Sequence, residues 1–201
     1  MSIKKDFYLF DLDGTIIDSV NMHVKAFLEA CDNLGIKKPE NTEELFRKCV
    51  GMKFMEIVHN ILKNYPETEL IKLREERRKL LPKYIKEVKI IDPVYKKLLK
   101  LKQKGYPLAL VTSSSRNFVE LVNNNIFPIY KIFDVVVTSE DVSNGKPDPE
   151  PFLKAYYKLR EKYGDPNNVY VVGDTDYDKI GAEKAGFKFI YYKDFALGEE
   201  I

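Results

Sequence analysis

Four short apolar runs punctuate the chain, at Phe7–Leu12, Leu108–Thr112, Phe133–Thr138 and Val169–Gly173, and a fifth, Phe187–Tyr192, reads as an edge. None alternates apolar with polar. Continuous apolar runs of this kind suit strands of a parallel sheet that is covered on both faces. Between the later runs, apolar residues recur at helical spacing over Arg116–Asn123, Pro149–Tyr163 and Asp176–Ala185. Strand–helix alternation predicts a doubly wound α/β domain.

One connection breaks that rhythm. Roughly a hundred residues separate Asp11 from Thr112, whereas a crossover between parallel strands needs only about a dozen. Pro93–Lys104, ended by Gly105, supplies a crossover helix. The remainder, residues 18–89, reads as helices. Ser19 is placed to cap the first, whose stripe is Val20, Val24, Phe27, Leu28, Cys31 and Leu34, with Gly35 as its stop. Further helices are predicted over Thr42–Val50, Lys53–Tyr65 and Glu67–Glu87, the last kinked at Pro82. The expected division is an α/β core from 1–17 and 90–201, with an all-helical cap inserted at 18–89.

Composition narrows the function classes. The chain has 201 residues, 44% hydrophobic, enough for one sizeable core and a small second domain. The formal charge of +2 lacks the basic excess of a nucleic-acid binder. Cys31 and Cys49 have neither disulfide-framework nor zinc-site spacing, and both are expected as buried, reduced thiols. The start, MSIKKDFYLF, lacks the long apolar core of a signal peptide, and no run is long enough to span a bilayer. The expectation is a soluble cytoplasmic protein, monomer or homodimer, with no nucleic-acid or membrane partner.

Ligands of open α/β sheets bind beyond the carboxyl ends of the strands. Here those ends are unusually polar. The first leads into Asp11 and Asp13, the second into Thr112, Ser113, Ser114 and Ser115. The third leads into Asn144, Gly145, Lys146, Pro147 and Asp148, and the fourth into Asp174, Thr175, Asp176 and Asp178. Clustered carboxylates resist ionising together unless a cation neutralises them. An all-oxygen set favours a hard ion such as Mg²⁺, with Asp11 and Asp174 as natural ligands. A carboxylate beside a metal-bound phosphate can also act as a nucleophile. Thr112, Ser113 and the Lys146 ammonium are placed to hold phosphoryl oxygens.

FDLDGT, LVTSS, NGKPDP and VGDTDYD, in that order and spacing, resemble the four motifs of the haloacid dehalogenase superfamily. The insertion after the first motif resembles the small helical cap of its phosphoglycolate phosphatase and β-phosphoglucomutase group. The resemblance implies a Rossmann-like core and Mg²⁺-dependent hydrolysis of a small phosphomonoester through an aspartyl phosphate. It makes Asp11 the nucleophile and Asp13 the general acid and base, with the Asp13 carbonyl as a metal ligand. Thr112 and Ser113 would bind the phosphoryl group, Lys146 would screen its charge, Asp174 would hold the metal and Asp178 would support the site. Gly14 would permit the turn past the nucleophile. Asp13 argues against halide displacement and phosphonate cleavage, because relatives with those activities lack a second acid there.

Other polar residues have plainer readings. His23 stands at the edge of the first cap helix's stripe, where mutase-like relatives turn a histidine toward the site. Lys53, in the cap loop Gly51-Met52-Lys53, is placed to pair with a substrate carboxylate or second phosphate, or else starts a helix on the surface. His59 is structural or exposed, Asp176 is solvated, and Asp18 helps start the cap helix. Asp92-Pro93-Val94 departs from the family's Pro-Gly-Val, and Thr175 replaces a serine. A phosphosugar mutase is the main alternative to a phosphatase. A non-catalytic binding module is the weaker one, since Asp11, Asp13 and Asp174 are all kept.

Overall fold

The computed structural model describes residues 5–198, so the ends of the core range predicted above lie outside the described residues. In chain order the elements are β1 (Phe7–Phe10), β2 (Ile17–Asp18), α1 (Val20–Asn33), α2 (Thr42–Lys48), α3 (Phe54–Ile61), α4 (Glu67–Tyr84), β3 (Lys89–Ile90), α5 (Asp92–Gln103) and β4 (Leu108–Val111). They continue as α6 (Arg116–Asn125), α7 (Ile129–Ile132), β5 (Val135–Val137), α8 (Glu150–Tyr163), β6 (Val169–Gly173), α9 (Asp176–Lys184), β7 (Lys188–Tyr191) and α10 (Tyr192–Leu197). Among the described residues no helix is long and apolar enough to cross a membrane.

Five parallel strands form a sheet in the order β5-β4-β1-β6-β7. Its central strands are apolar throughout because each face meets its own core. Tyr8 and Phe10 of β1, Leu108 and Leu110 of β4 and Val172 of β6 enter a cluster with Val94 and Leu98 of α5 and Phe118 of α6. The alternate residues Phe7, Leu9, Ala109, Val111 and Val171 enter a second cluster with Phe152 and Leu159 of α8. Strands with this double burial end abreast. Asp11 N donates to Val172 O at 2.9 Å and Thr112 N to Val137 O at 2.9 Å, which lines up the polar strand ends.

Helices α1–α4 enclose a third cluster, with Phe27, Phe46, Val58 and Leu73 at its centre. Where the chain passes between this segment and the sheet, β2 and β3 pair antiparallel, Ile17 against Ile90 and Asp18 against Lys89. Asp18 therefore belongs to that ribbon rather than to the start of a helix. Helix α1 buries two faces: Met22 and Ala26 enter the sheet-side core while Val24, Phe27 and Cys31 enter the helical one. Leu34, predicted in the stripe, is exposed just beyond the helix end. Helix α3 stops at Ile61 rather than Tyr65, consistent with Pro66 disfavouring helical backbone at Tyr65. Helix α4 runs through Pro82 to Tyr84 and tightens into a 3₁₀ turn at Ile85–Glu87.

Asp134 ties the base of the sheet together. Its carboxylate accepts from Leu108 N at 2.9 Å, Tyr163 Oη at 2.9 Å and Lys102 Nζ at 3.2 Å. Burial pushes its proton affinity up, but those donors outweigh burial and hold the carboxyl below its ordinary range. A depressed folded-state value stabilises the fold above the ordinary carboxylate pKa of about 3.9, and that contribution is lost as pH falls through the lower folded value. Asp134→Ala is expected to cost about 1.5–3 kcal/mol at neutral pH, the range for hydrogen bonds to a charged group. Urea midpoints measured from pH 7 to pH 3 should show the gap from wild type narrowing in acid; a constant gap would deny the charge its role.

Candidate active site

The loop after β1 turns sharply at Gly14, whose φ of +85° lies in the left-handed region. A Cβ there would meet Asp174 Oδ2 at 2.2 Å, so only glycine lets the β1 and β6 loops approach this closely. Asp11, Asp174 and Asp178 thereby bring carboxylate oxygens within 4.8 Å of one another. Lys146, only 2% exposed, reaches between them: Nζ donates to Asp11 Oδ1 and Asp178 Oδ1, each at 2.6 Å, and to Val111 O at 2.8 Å. Asp178 also closes a capping box at the start of α9, accepting from Thr175 Oγ1 at 2.7 Å. Thr15 Oγ1 donates to Asp174 Oδ1 at 3.0 Å.

One ammonium among three carboxylates leaves an excess of negative charge. Burial pushes Asp11 well above the usual carboxylate range; Lys146 opposes, and Asp178, Asp174 and Asp13 add to the rise. Burial and then the Asp178 charge push Asp174 up to about 6. Lys146 would be lowered by burial alone, but Asp11 and Asp178 outweigh that and hold its proton more tightly than usual. The donor set is all oxygen, crowded and under-neutralised. It fits a hard divalent cation such as Mg²⁺, held by Asp11 and Asp174 with Asp178 adjacent.

Asp13 lives in a different environment. Ser114 Oγ donates to Oδ2 at 2.7 Å, His23 Nε2 lies 3.0 Å from Oδ1, and Ser19 Oγ donates to the same oxygen. Burial alone would raise Asp13, but the His23 ring and the two hydroxyls outweigh it and hold the carboxyl below its ordinary range. On its other side, His23 Nδ1 meets Arg77 Nη2 at 2.6 Å. A guanidinium can only donate, so Nδ1 accepts and the single ring proton sits on Nε2, aimed at Asp13. Burial lowers the proton affinity of His23, in keeping with a neutral ring.

The structure brings together Asp11, Asp13, Gly14, Thr112, Ser113, Lys146, Asp174, Asp178 and His23. Their contacts differ in places from expectation. Ser19 holds the N-cap position of α1, but its hydroxyl makes no capping bond because it turns to Asp13. Ser115, not Thr112 or Ser113, caps α6 by accepting from Phe118 N at 3.3 Å. Thr112 Oγ1 accepts from Ser114 N at 3.0 Å, and Ser113 Oγ donates to Gly51 O at 2.5 Å. Lys53 lines the same cavity, yet its ammonium donates to Val142 O at 2.8 Å and Ser143 O at 3.0 Å. His59 is exposed and pairs with Glu67, and Asp176 is exposed. Cys31 is buried, and Cys49 is partly exposed.

Three residues at the site were not assigned a role from sequence: Ser114, Thr15 and Arg77. Arg77 did carry a signal. Leu70, Leu73, Arg77 and Leu81 occupy the buried stripe of α4, so a charged residue falls where the period calls for an apolar one.

Comparisons with known proteins agree with this arrangement. The sequence pattern of a family described as haloacid dehalogenase-like hydrolase matches residues 8–192. A pyrophosphatase PpaX from Bacillus cereus (strain B4264) is 31% identical over 180 residues, which span 90% of this chain and 79% of that protein. The crystal structure of CbbY from Rhodobacter sphaeroides in complex with phosphate superposes with a TM-score of 0.80 at 21% identity, covering 94% of this chain and 86% of that one. A β-phosphoglucomutase from Clostridium difficile gives a TM-score of 0.76 at 23% identity, covering 92% and 83%. At these identities the two structures speak to the shared fold.

Proposed function

The chain belongs to the haloacid dehalogenase-like hydrolases, and on that premise we propose that it hydrolyses small phosphomonoesters, dependent on Mg²⁺, through an aspartyl phosphate on Asp11. The observation that carries this reading is the divergence of two neighbouring carboxyls. Asp11 sits in an under-neutralised cluster of carboxylates, whereas Asp13 is ringed by donors and linked to His23. Two acids set apart by their surroundings are the mark of divided acid–base and nucleophilic labour.

In this reading the Asp11 carboxylate attacks phosphorus. Lys146 orients Asp11 through the 2.6 Å hydrogen bond and faces the phosphoryl charge. Thr112, Ser113 and the backbone amides beside them hold phosphoryl oxygens. Asp13 gives a proton to the leaving oxygen and takes one from the water that cleaves the phosphoaspartate. An incoming dianionic phosphoryl group raises the proton affinity of Asp13, so the carboxyl gains its proton as substrate arrives. When bound, the divalent cation supplies positive charge to the carboxylates and to a phosphoryl oxygen. Residues 18–89 serve as a cap over the core of 1–17 and 90–201, excluding bulk water while the intermediate exists. Small esters fit the cavity of about 230 Å³ between Asp13 and the helices α3 and α4.

Phosphate release from a panel of small phosphomonoesters and pyrophosphate, with and without Mg²⁺, tests the reading. Metal-dependent release is expected; isomerised sugar phosphate without free phosphate would replace it with a mutase. Binding can be followed independently of turnover. Mg²⁺ at a hundredfold excess over its Kd should stabilise the fold by about 2.7 kcal/mol, or roughly 5–11 °C in melting temperature for a chain of this size. Asp174→Asn should remove most of that shift. In wild type the shift should shrink as pH falls through about 6, where Asp174 takes up its proton. A pH-independent shift would place the ion elsewhere.

A further inference from the structure

Two cavities flank the loop Val50-Gly51, and they divide the carboxylates between them. Asp11 and Asp13 line the first, together with Ser113 and Glu140, whereas Asp174 lines the second, with Thr175 and Asp176. Among the described residues only Val50 borders both. Gly51 completes the partition: a Cβ there would meet Thr175 Oγ1 and Tyr177 Cδ2, each at 3.1 Å, so the loop rests on the turn after β6. The two cavities are also held differently. Three contacts tie the helical segment to the sheet side around the first: Ser113 to Gly51, Lys53 to Val142 and Ser143, and Arg78 to Glu140. Across the second, among the described residues, no hydrogen bond or ion pair joins the two sides. Arg47 is held by Glu43 and Asn21, Lys48 by Glu44, and Asp176 by Tyr191, each on its own side.

We infer that the second cavity is the entrance for the divalent cation, separate from the entrance for the phosphoester, so that Asp174 exchanges its ion while the first cavity stays latched. This rests on the metal ligands proposed above, Asp11 and Asp174, and adds the route to them. The second cavity measures about 590 Å³, against about 230 Å³ for the first. Mg²⁺ sheds water reluctantly and keeps several waters when bound, so a roomy approach to one of its carboxylates suits it. Charge points the same way. Arg47 and Lys48 are neutralised by glutamates one turn back on α2, which leaves Asp174 and the exposed Asp176 to set the field in the second cavity. An ester seated in the first cavity closes that approach to an ion and leaves the second clear. Ion and ester can then bind in either order.

The test staples the first cavity shut. A Cβ at Gly145 would lie 2.9 Å from Lys53 Cγ, which brings the two β-carbons within disulfide reach. Lys53→Cys with Gly145→Cys, in a Cys49→Ser background, therefore supplies a reversible staple. Mn²⁺ is the probe: its release into an excess of chromogenic chelator is timed by stopped flow, and loss of binding in Asp174→Asn fixes the site being read. Oxidised and reduced protein should release Mn²⁺ at rates within about twofold of each other, while oxidation lowers turnover of a phosphomonoester by more than about tenfold, as a gated lid requires. Mn²⁺ release that slows in step with turnover would overturn the separate entrance, as would turnover untouched by the staple. Two further variants need no staple. Ile180→Trp narrows the second cavity without touching a carboxylate and should slow Mn²⁺ uptake and release alike, leaving Kd unchanged. Asp176→Lys should slow uptake by about tenfold, more at low salt, as reversal of a steering charge does. Unaltered Mn²⁺ rates in both would also overturn the entrance. No Mn²⁺ binding in wild type would sink the metal site and the entrance with it. Stapled protein that exchanges Mn²⁺ freely, from a chain that hydrolyses no ester, would sink the phosphatase and keep the entrance.

Discussion

Asp11→Asn is expected to lower phosphate release by at least ~10⁴-fold, the scale on which loss of a covalent nucleophile falls, and at the same time to raise the melting temperature of the metal-free protein. The two effects share one cause. Asp11 is buried beside Asp174 and Asp178, and the three carboxylates share the Lys146 ammonium. An acid whose folded-state pKa is raised binds more protons folded than unfolded, so it destabilises the fold once pH exceeds its ordinary value of about 4. Asparagine keeps the shape and can still accept from Lys146, but it sheds the repulsion. Calorimetry in a chelator at pH 7 should therefore show the variant melting above wild type. The margin should narrow as pH falls toward and through about 4, below which Asp11 becomes protonated in both states. Retained turnover would move the nucleophile elsewhere. A lower melting temperature would mean that the Lys146 pair outweighs the crowding. A nucleophile that destabilises its own fold is what a site tuned for chemistry rather than stability should contain.

Much of this arrangement was legible in the sequence because it depends on backbone topology. Double burial makes the central strands apolar throughout, so Phe7–Leu12 and Val169–Gly173 announce themselves, and the polar residues that follow must sit at one edge. Asp11, Thr112, Lys146 and Asp174 are legible for that reason. Contacts made by side-chain ends were not. Nothing in the sequence says that Ser19 turns from its helix to Asp13, or that Lys53 reaches over Gly145 to backbone carbonyls. Segments too short to show a period were also missed. Two-residue strands at Ile17–Asp18 and Lys89–Ile90 cannot display alternation, nor can Ile129–Ile132 display a helical repeat. Arg77 was hidden among the charges of Glu75-Glu76-Arg77-Arg78, where only its place in the stripe of Leu70, Leu73 and Leu81 set it apart.

Lys146→Met should act in the opposite sense from Asp11→Asn on stability. Among the described residues it removes the one cation that touches both Asp11 and Asp178, and it leaves two buried carboxylates facing each other and Asp174. Breaking a buried ion pair on one side costs about 3–5 kcal/mol, or roughly 6–20 °C for a chain of this length. Methionine fits the channel beside Phe152, whose ring lies 5.3 Å from the ammonium, so packing is nearly conserved and the loss reports charge. Two additions should rescue the fold. Asp178→Asn in the same chain removes one of the stranded carboxylates, and the double variant should melt above Lys146→Met. Mg²⁺ should stabilise Lys146→Met more than wild type, since the carboxylates left unpaired are the donors assigned to the ion. Turnover should recover in neither case, because the proposed reaction also needs the ammonium to face the phosphoryl charge; a loss of about 10²–10³-fold is the usual scale for one such donor. A variant within about 1 kcal/mol of wild type would mean that the carboxylates had neutralised themselves by protonation. Its melting temperature would then fall steeply with rising pH, which separates that outcome from a lysine of no electrostatic consequence.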